Sequence, residues 1–180
     1  MGKIIKISDS IILKQIELSD AQDIFNVIDL QREYLGKWLP FVQITNKMES
    51  TENYIKSVIN APEDKREYNF VIHHEGEFVG IIGFKDTDKI NCKTEIGYWL
   101  SENFQKKGIM TRSVLVLCKF AFEELKMNRI QIKVAVGNTS SKKIPQRLNF
   151  KFEGIERDGE KMHDGSFADI EVFSLLRREL

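Results

Sequence analysis

The sequence predicts a single domain of the α/β or α+β class. The first observation is length, because 180 residues correspond to one domain at about 150 residues per domain. A chain of this size buries roughly 70% of the surface of its unfolded state, so it needs neither a disulfide nor a metal for stability. The second observation is that strand-like and helix-like segments alternate, with no repeat, low-complexity tract or Pro/Gly-rich linker between them. We therefore expect residues 1–180 to form one domain.

Seven segments have the alternating or β-branched apolar content of strands. They are residues 11–16, 68–74, 78–84, 94–100, 130–136, 150–155 and 169–176. The second and third of these are joined by Glu75-Gly76-Glu77, which has the composition of a hairpin turn.

Four further segments place apolar residues at helical spacing. They are residues 21–35, 51–59, 111–126 and 140–148. Residues 18–20 offer an N-cap to the first helix, and Gly36 ends it. The third helix begins with an apolar run that could also form a strand, but its length and the i,i+4 pair Lys119/Glu123 favour a helix.

The charge and cysteine content exclude several classes of protein. Lys and Arg number 27 and so do Asp and Glu, whereas a nucleic-acid or membrane-surface binder has a basic excess. Cys92 and Cys118 are the two cysteines, and without a CxxC motif they predict neither a disulfide framework nor a zinc site. The sequence also has no run of about 20 apolar residues for a membrane span. We expect a cytoplasmic protein without a metal.

A glycine-containing loop separates the strand at 94–100 from the helix at 111–126. Its residues are Gln105, Lys106, Lys107, Gly108, Ile109, Met110 and Thr111. Backbone N–H groups of such a loop lie at the positive end of the helix dipole, an arrangement that binds a pyrophosphate. Gly97, in the preceding strand, indicates a bulge or a close approach of the backbone to a ligand. A single glycine before a helix, such as Gly108, is more often a structural turn residue than part of a phosphate site.

A second polar segment follows the strand at 130–136. It reads Gly137-Asn138-Thr139-Ser140-Ser141 and leads into the short helix at 140–148. By itself, Asn138 or a nearby serine is an ordinary helix N-cap.

Taken together and in order, these segments resemble the GNAT superfamily of acetyl-CoA-dependent N-acetyltransferases. Gln105-Lys-Lys-Gly108-Ile-Met110 resembles its (Arg/Gln)-x-x-Gly-x-(Gly/Ala) pyrophosphate loop, and Asn138-x-x-Ser141 with the following Asn149-Phe150 resembles its Asn-x-x-Ser…(Gly)-Phe segment. The run Arg32-x-x-Leu35-x-x-Trp38-Leu39-Pro40 further resembles the Rim-type subgroup, the N-terminal acetyltransferases of ribosomal proteins. The likeness extends over residues 11–176, so that the core of the domain is expected there.

The resemblance implies a fold in more detail. The expected fold is a mixed, mostly antiparallel sheet of six or seven strands with helices on both faces. The strands at 95–100 and 130–136 are neighbours that diverge at one end, where pantetheine binds.

The resemblance also implies acetyl transfer from acetyl-CoA, as co-substrate, to a primary amine. The acceptor expected is the N-terminal α-amine of a protein such as a ribosomal protein, which attacks the thioester directly in a ternary complex. The residues that this implies for acetyl-CoA binding are Ile96, Tyr98, Trp99, Gln105, Lys106, Lys107, Gly108, Ile109, Met110, Thr111, Asn138, Ser141 and Arg147.

Two residues depart from the family pattern. Met110 stands where a small residue is usual in the pyrophosphate loop. Asn149 stands where Gly is usual, but Asn also tolerates the left-handed conformation that ends a helix, so we expect the turn to persist.

Glu160 and Ser141 are the catalytic residues that the resemblance implies. Glu160 would be the base that takes a proton from the ammonium of the acceptor, although a Glu in a polar segment such as 157–161 is ordinarily a solvated loop residue. A free Glu has a pKa of about 4.3, so partial burial would make it a stronger base. Ser141 would donate a proton or hydrogen bond to the departing thiolate of CoA, but it could also simply cap or pack the short helix.

Other functions remain open at this point. Within the same class, the acceptor could be a small molecule such as an antibiotic or a polyamine. A non-catalytic acyl-CoA-binding module is a second alternative, and a nucleotide-binding module a third, although no Gly-x-x-x-x-Gly-Lys-(Ser/Thr) motif is present. A homodimer could form through an exposed edge strand or the apolar turn at Trp38 and Phe41.

Overall fold

The computed structural model describes residues 2–65 and 67–180. Its eight strands are β1 (Ile4–Lys6), β2 (Ile11–Gln15), β3 (Asn69–His74), β4 (Glu77–Asp88), β5 (Lys93–Leu100), β6 (Arg129–Ala135), β7 (Lys151–Lys161) and β8 (Phe167–Leu176). Its α-helices are α1 (Ala21–Leu30), α2 (Arg32–Gly36), α3 (Met48–Ile59), α4 (Ile109–Glu123) and α5 (Thr139–Arg147). Among these described residues, no helix is both long and apolar enough to span a membrane.

The strands form one open sheet in the order β1-β2-β3-β4-β5-β6-β8-β7. Antiparallel pairing joins β1 to β2, β2 to β3, β3 to β4, β6 to β8 and β7 to β8, whereas β5 and β6 are parallel. The mixed, mostly antiparallel sheet is therefore confirmed, but the expected six or seven strands are eight. The additional strand, β1, has only three residues, which is too short for an alternating pattern to stand out.

By its internal contacts the chain divides into two compact units. Unit 1 comprises Met1–Gly83 and Tyr98–Ile109. Its core includes a cluster of buried apolar side chains from α1, α2, α3, β3, β4, β5 and the segments just after β2 and α2: Ile16, Ala21, Ile24, Ile28, Leu35, Val42, Ile55, Val71, Phe78, Ile81 and Trp99. The expected helix at 21–35 is in fact two helices, because Gln31 leaves the helical conformation, with φ of −124° and ψ of 30°.

Unit 2 comprises Phe84–Gly97 and Met110–Leu180. The α4 side chains of Val114, Leu117 and Ala121 are fully buried, and the ring of Phe120 stacks on that of Phe84 with centroids 6.2 Å apart. The expected helix at 111–126 is confirmed as α4, two to three residues earlier in the chain.

Cys118 lies on the buried face of α4 and is completely inaccessible. Burial raises the pKa of its thiol to about 12, since the thiolate cannot be solvated there. The residue is thus a small apolar core residue.

A charged network joins the three strands β6, β7 and β8 within unit 2. The guanidinium of Arg129 donates two hydrogen bonds to the carboxylate of Glu153, one of them 2.6 Å long to Oε1. Ser174 Oγ donates to the same Oε1 over 2.7 Å. The hydrogen bond from Arg129, with a smaller contribution from Ser174, lowers the pKa of Glu153 from 4.5 to about 2.

Glu153→Gln should consequently make the free energy of unfolding less dependent on pH in the acid range. Because the folded-state pKa is depressed, the network stabilises the protein above about pH 4.5 and loses its contribution as the pH falls toward 2. The side chain of Glu153 is 41% exposed, so solvent screening limits the loss at pH 7 to about 1 kcal/mol or less. Urea unfolding at several pH values measures this. Parallel loss of unfolding free energy in variant and wild type between pH 5 and 2 would contradict it.

Candidate active site

The glycine-containing loop is preceded by a tight turn in unit 1. The backbone N–H of Phe104 donates to Ser101 O, and that of Gln105 donates to Glu102 O, each over 3.1 Å. Lys106 and Gly108 then adopt positive φ values of 61° and 72°. These two left-handed residues, separated only by Lys107, turn the chain sharply into the start of α4 at Ile109.

The loop is exposed at its tip and buried where it enters α4. Lys106, Lys107 and Gly108 are exposed, whereas Ile109 and Met110 are buried. The larger side chain at position 110 is thus accommodated in the protein interior. The N-terminus of an α-helix is the positive end of its dipole, and the exposed tip lies directly before it, an arrangement that favours a bound anion.

Phe104 supports the loop from within unit 1. The ammonium of Lys107 lies 4.7 Å from the centroid of the Phe104 ring, a cation–π contact. The ring of His74 meets the same phenyl ring edge-on, with centroids 5.8 Å apart. Lys107 therefore has a position on the protein surface that is independent of any phosphate.

Strands β5 and β6 pair over only part of their length. The parallel ladder joins Lys93, Thr94 and Glu95 to Arg129, Ile130 and Gln131. Within the described part of unit 2, Ile96 and Gly97 lie beyond the last rung of this ladder. This confirms that the two strands are neighbours without full pairing.

The three β5 side chains assigned to acetyl-CoA binding differ in exposure. Ile96 is 1% exposed and Trp99 9%, and Trp99 packs against Phe78 in the unit 1 core with ring centroids 5.8 Å apart. Tyr98 is half-buried. Ile96 and Trp99 can therefore offer a ligand their backbone groups, but not their side chains. A Cβ at Gly97 would meet only the methylenes of Lys85 at 3.7 Å, so the backbone there is open to close approach.

A buried carboxylate marks the end of the ladder. Glu95 is 2% exposed; its Oε1 lies 2.8 Å from Lys85 Nζ, and its Oε2 accepts a hydrogen bond of 3.0 Å from Gln131 Nε2. Burial alone would lower the pKa of Lys85. The hydrogen bond and charge of Glu95 outweigh this effect, with help from the charges of Glu160 and Asp86, so that the pKa is raised above 10.5. The charge of Glu160 thus acts on this cluster.

Asn138 is the N-cap of α5. Its Oδ1 accepts a hydrogen bond of 3.2 Å from the backbone N–H of Ser141, which confirms the capping interpretation. The Nδ2 group of the same amide is a donor suited to a carbonyl of a ligand. Ser141 is half-buried in the first turn of the helix, and Arg147 is exposed in its last turn.

Asn149 ends this helix in the left-handed conformation, with φ of 58°. The N–H of Phe150 donates to Pro145 O over 3.0 Å and that of Asn149 to Gln146 O over 3.2 Å. This is the hydrogen-bond pattern of a Schellman motif. The expectation that Asn would replace Gly at this turn is confirmed.

Glu160 lies in a strand and not in a loop, which corrects the sequence prediction. β7 continues to Lys161, and Glu160 pairs with Ala168 of β8. The register shifts between Glu156 and Glu160, and Asp158 within this bulge has a φ of 52°. The side chain of Glu160 is exposed, so the partial burial expected for a stronger base is not found.

Comparison with known proteins identifies the family. The protein-family model of the acetyltransferase (GNAT) domain matches residues 10–151 of this sequence. This chain belongs to the GNAT acetyltransferase family. It is accordingly an N-acetyltransferase, and acetyl-CoA is its acetyl donor.

Relatives of this GNAT chain cover nearly its whole length. The putative ribosomal N-acetyltransferase YdaF of Bacillus subtilis is 35% identical over 97% of this chain and 95% of the relative. The ribosomal-protein-serine acetyltransferase of Escherichia coli is 25% identical over 97% of both chains. Among solved structures, RimL, a ribosomal L7/L12 α-N-protein acetyltransferase in complex with coenzyme A, has a TM-score of 0.91 at 25% identity and covers 97% of this chain and 98% of its own.

Sequence reasoning missed two groups of residues in this GNAT domain. The first is the buried cluster of Lys85, Glu95 and Gln131, which the carboxylate at the head of the apolar strand 95–100 could have indicated, because a buried charge needs a partner. The second is the pair Gln31 and Tyr34: Gln31 bonds to the segment before the loop and Tyr34 to the first loop residue, Gln105. These lie about 70 residues away in sequence, and no local pattern indicates them.

Proposed function

We propose that this GNAT enzyme acetylates the N-terminal α-amine of a protein, such as a ribosomal protein, in the cytoplasm. The observation that carries the proposal is its full-length similarity, at 35% identity, to a putative ribosomal N-acetyltransferase. The likeness to RimL, an α-N-protein acetyltransferase, supports it. Residues 1–180 act as one catalytic domain in this proposal, since the family model extends over residues of both units.

The loop residues from Gln105 to Thr111 hold the pyrophosphate of acetyl-CoA in this proposal. Support comes from the left-handed Lys106 and Gly108 and from the start of α4 at Ile109. Backbone N–H groups provide the binding, and the exposed side chains of Lys106 and Lys107 add positive charge.

Backbone groups of Ile96, Tyr98 and Trp99 pair with the pantetheine amides. The side chains of Ile96 and Trp99 are buried, so only the backbone of these two residues can meet a ligand. Asn138 donates from Nδ2 to a pantetheine carbonyl while its Oδ1 caps α5. Arg147, exposed at the end of the same helix, contributes positive charge for the phosphates.

The acceptor amine attacks the thioester carbonyl directly. Glu160 accepts the proton that the ammonium loses, directly or through water. Backbone N–H groups near Gly97 stabilise the negative charge on the carbonyl oxygen. As the carbon–sulfur bond breaks, Ser141 gives its hydroxyl proton to the CoA sulfur and regains one from the former amine nitrogen, directly or through water, so that the products are the neutral amide and the CoA thiol.

The exposed position of Glu160 favours an α-amine as acceptor. An α-amine has a pKa of about 7.7–8.0 and a lysine side chain one of about 10.4. Because part of the α-amine is already neutral at pH 7, a solvated carboxylate such as Glu160 suffices as base.

We also propose that two copies of the chain pair through β7. This strand is at the edge of the sheet, and the side chains of Phe152 and Ile155 are 54% and 53% exposed. An edge strand with exposed apolar side chains favours association with another chain.

Thiol release from acetyl-CoA against a panel of amines tests the proposed acceptor. We expect rapid CoA release with peptides that carry a free N-terminus and no lysine. The control is a peptide that differs in two ways: its N-terminus is acetylated and one lysine is added. It should not be acetylated. Activity confined to spermidine or an aminoglycoside would instead establish a small-molecule acceptor, and acetyl-CoA binding without turnover of any amine would establish an acyl-CoA-binding module.

A further inference from the structure

The break between α1 and α2 forms hydrogen bonds with the segment that leads into the pyrophosphate loop. Gln31 stands at this break, outside the helical conformation. Its Nε2 donates to Ser101 Oγ over 2.8 Å, and its Oε1 accepts from the backbone N–H of Glu102 over 2.9 Å. Both ends of one side-chain amide are therefore engaged by two consecutive residues.

The second of these hydrogen bonds caps a turn. Glu102 is the first residue of the 3₁₀ turn Glu102–Phe104, and Ser101, at its N-cap position, makes no side-chain capping bond. The first N–H groups of such a turn need an acceptor. Gln31 supplies that acceptor from a distant part of the chain.

Tyr34, in α2 just after the break, makes a second connection. Its hydroxyl accepts a hydrogen bond from Nε2 of Gln105, the first residue of the loop. The Tyr34 ring is half-buried and packs against the unit 1 core. Burial, partly offset by the hydrogen bond from Gln105, raises the pKa of the phenol, so it stays protonated at neutral pH.

Gln105 is thus committed to protein contacts. Its backbone N–H donates to Glu102 O and its side chain donates to Tyr34. These contacts place the residue that immediately precedes the left-handed Lys106. The break is flanked by core residues, because Ile28 before it and Leu35 after it are each 3% exposed in the unit 1 core.

We propose that Gln31 and Tyr34 are positioning residues that fix the start of the pyrophosphate loop, and that Gln105 acts through Tyr34. The inference rests on the proposed function for the assignment of this loop to acetyl-CoA. A loop held in its binding conformation before the ligand arrives loses less entropy on binding. The two residues therefore act on acetyl-CoA affinity and not on the chemical step.

Tyr34→Phe removes only the hydroxyl and tests the proposal. The loss of one hydrogen bond should raise the Kd and KM for acetyl-CoA about three- to tenfold, with kcat at saturating acetyl-CoA within about twofold of wild type. Gln31→Met, which removes two hydrogen bonds, should have the larger effect. Tyr54→Phe, at a tyrosine of α3 that is 42% exposed, is the matched control and should leave the affinity unchanged.

A double-mutant cycle and hydrogen exchange separate positioning from general destabilisation. Tyr34→Phe with Gln105→Leu should bind acetyl-CoA no more weakly than the worse single variant, because the two residues act as one pair. In protein without acetyl-CoA, the backbone amides at 101–109 should exchange faster in Tyr34→Phe than in wild type. Exchange equal to wild type, or strictly additive effects on affinity, would overturn the positioning role. Faster exchange with unchanged affinity would instead overturn the assignment of this loop to acetyl-CoA.

Discussion

Glu160→Gln should lower kcat by about 10²–10⁴-fold, the usual contribution of a general base. The affinity for acetyl-CoA should stay nearly unchanged, since the proposed role of Glu160 concerns the acceptor amine and not the donor. The measurement is a pH–rate profile with one fixed acceptor peptide. Raising the pH should partly restore the rate of the variant, because more of the acceptor α-amine is then already neutral.

Two further variants make this result specific. Ser141→Ala should cost less, because water can replace the hydroxyl as proton donor to a good leaving group, and it should show no alkaline rescue, since its step follows attack by the amine. Glu156→Gln is the matched control: Glu156 is an exposed carboxylate on the same strand, on the other side of the bulge, and its loss should not change kcat. Wild-type kcat in Glu160→Gln across the neutral range would assign the base to another residue or to bulk water.

Gly108→Val should weaken acetyl-CoA binding by roughly ten- to hundredfold. Gly108 has a φ of 72°, a conformation that a β-branched residue adopts only under strain. The added side chain would also occupy the space that the proposed pyrophosphate site requires. Titration calorimetry with acetyl-CoA measures the effect.

Lys107→Ala and Gly76→Val are the controls for this prediction. Lys107→Ala should weaken binding only about twofold, because the proposed donors are backbone groups and the ammonium lies over Phe104. Gly76→Val introduces the same kind of strain in the β3–β4 hairpin turn, where φ is 84° and a Cβ would meet no other atom within 4 Å. It should reduce stability without reducing acetyl-CoA affinity. The reverse order for Gly108→Val and Lys107→Ala would locate the phosphate site elsewhere.

Local patterns predicted several structural features of the fold, some of them next to the candidate site. The helical spacing in α4 and the left-handed turn at Asn149 depend on neighbours within a few residues, and both are found in the structure. The same holds for the N-cap at Asn138.

Features that depend on distant residues could not be predicted. The sequence pattern of residues 21–35 is that of one continuous helix, but the structure breaks it at Gln31. The partners of the Gln31 side chain are 70 and 71 residues away. The buried Lys85–Glu95–Gln131 cluster likewise joins three strands. At Asp158-Gly159 the composition is that of a turn, but a turn and a β-bulge both use left-handed residues, so the sequence does not distinguish them.

The inaccessible position of Cys118 has a practical consequence for chemical labelling. Burial leaves Cys118 completely inaccessible and raises the pKa of its thiol, and a disulfide reagent reacts with accessible thiolates. The folded chain should therefore present a single reactive sulfur, Cys92, to such a reagent. A colour yield of one equivalent per chain before addition of acetyl-CoA, rising to two in denaturant, would give an internal standard for the fraction of folded enzyme in every assay of released CoA.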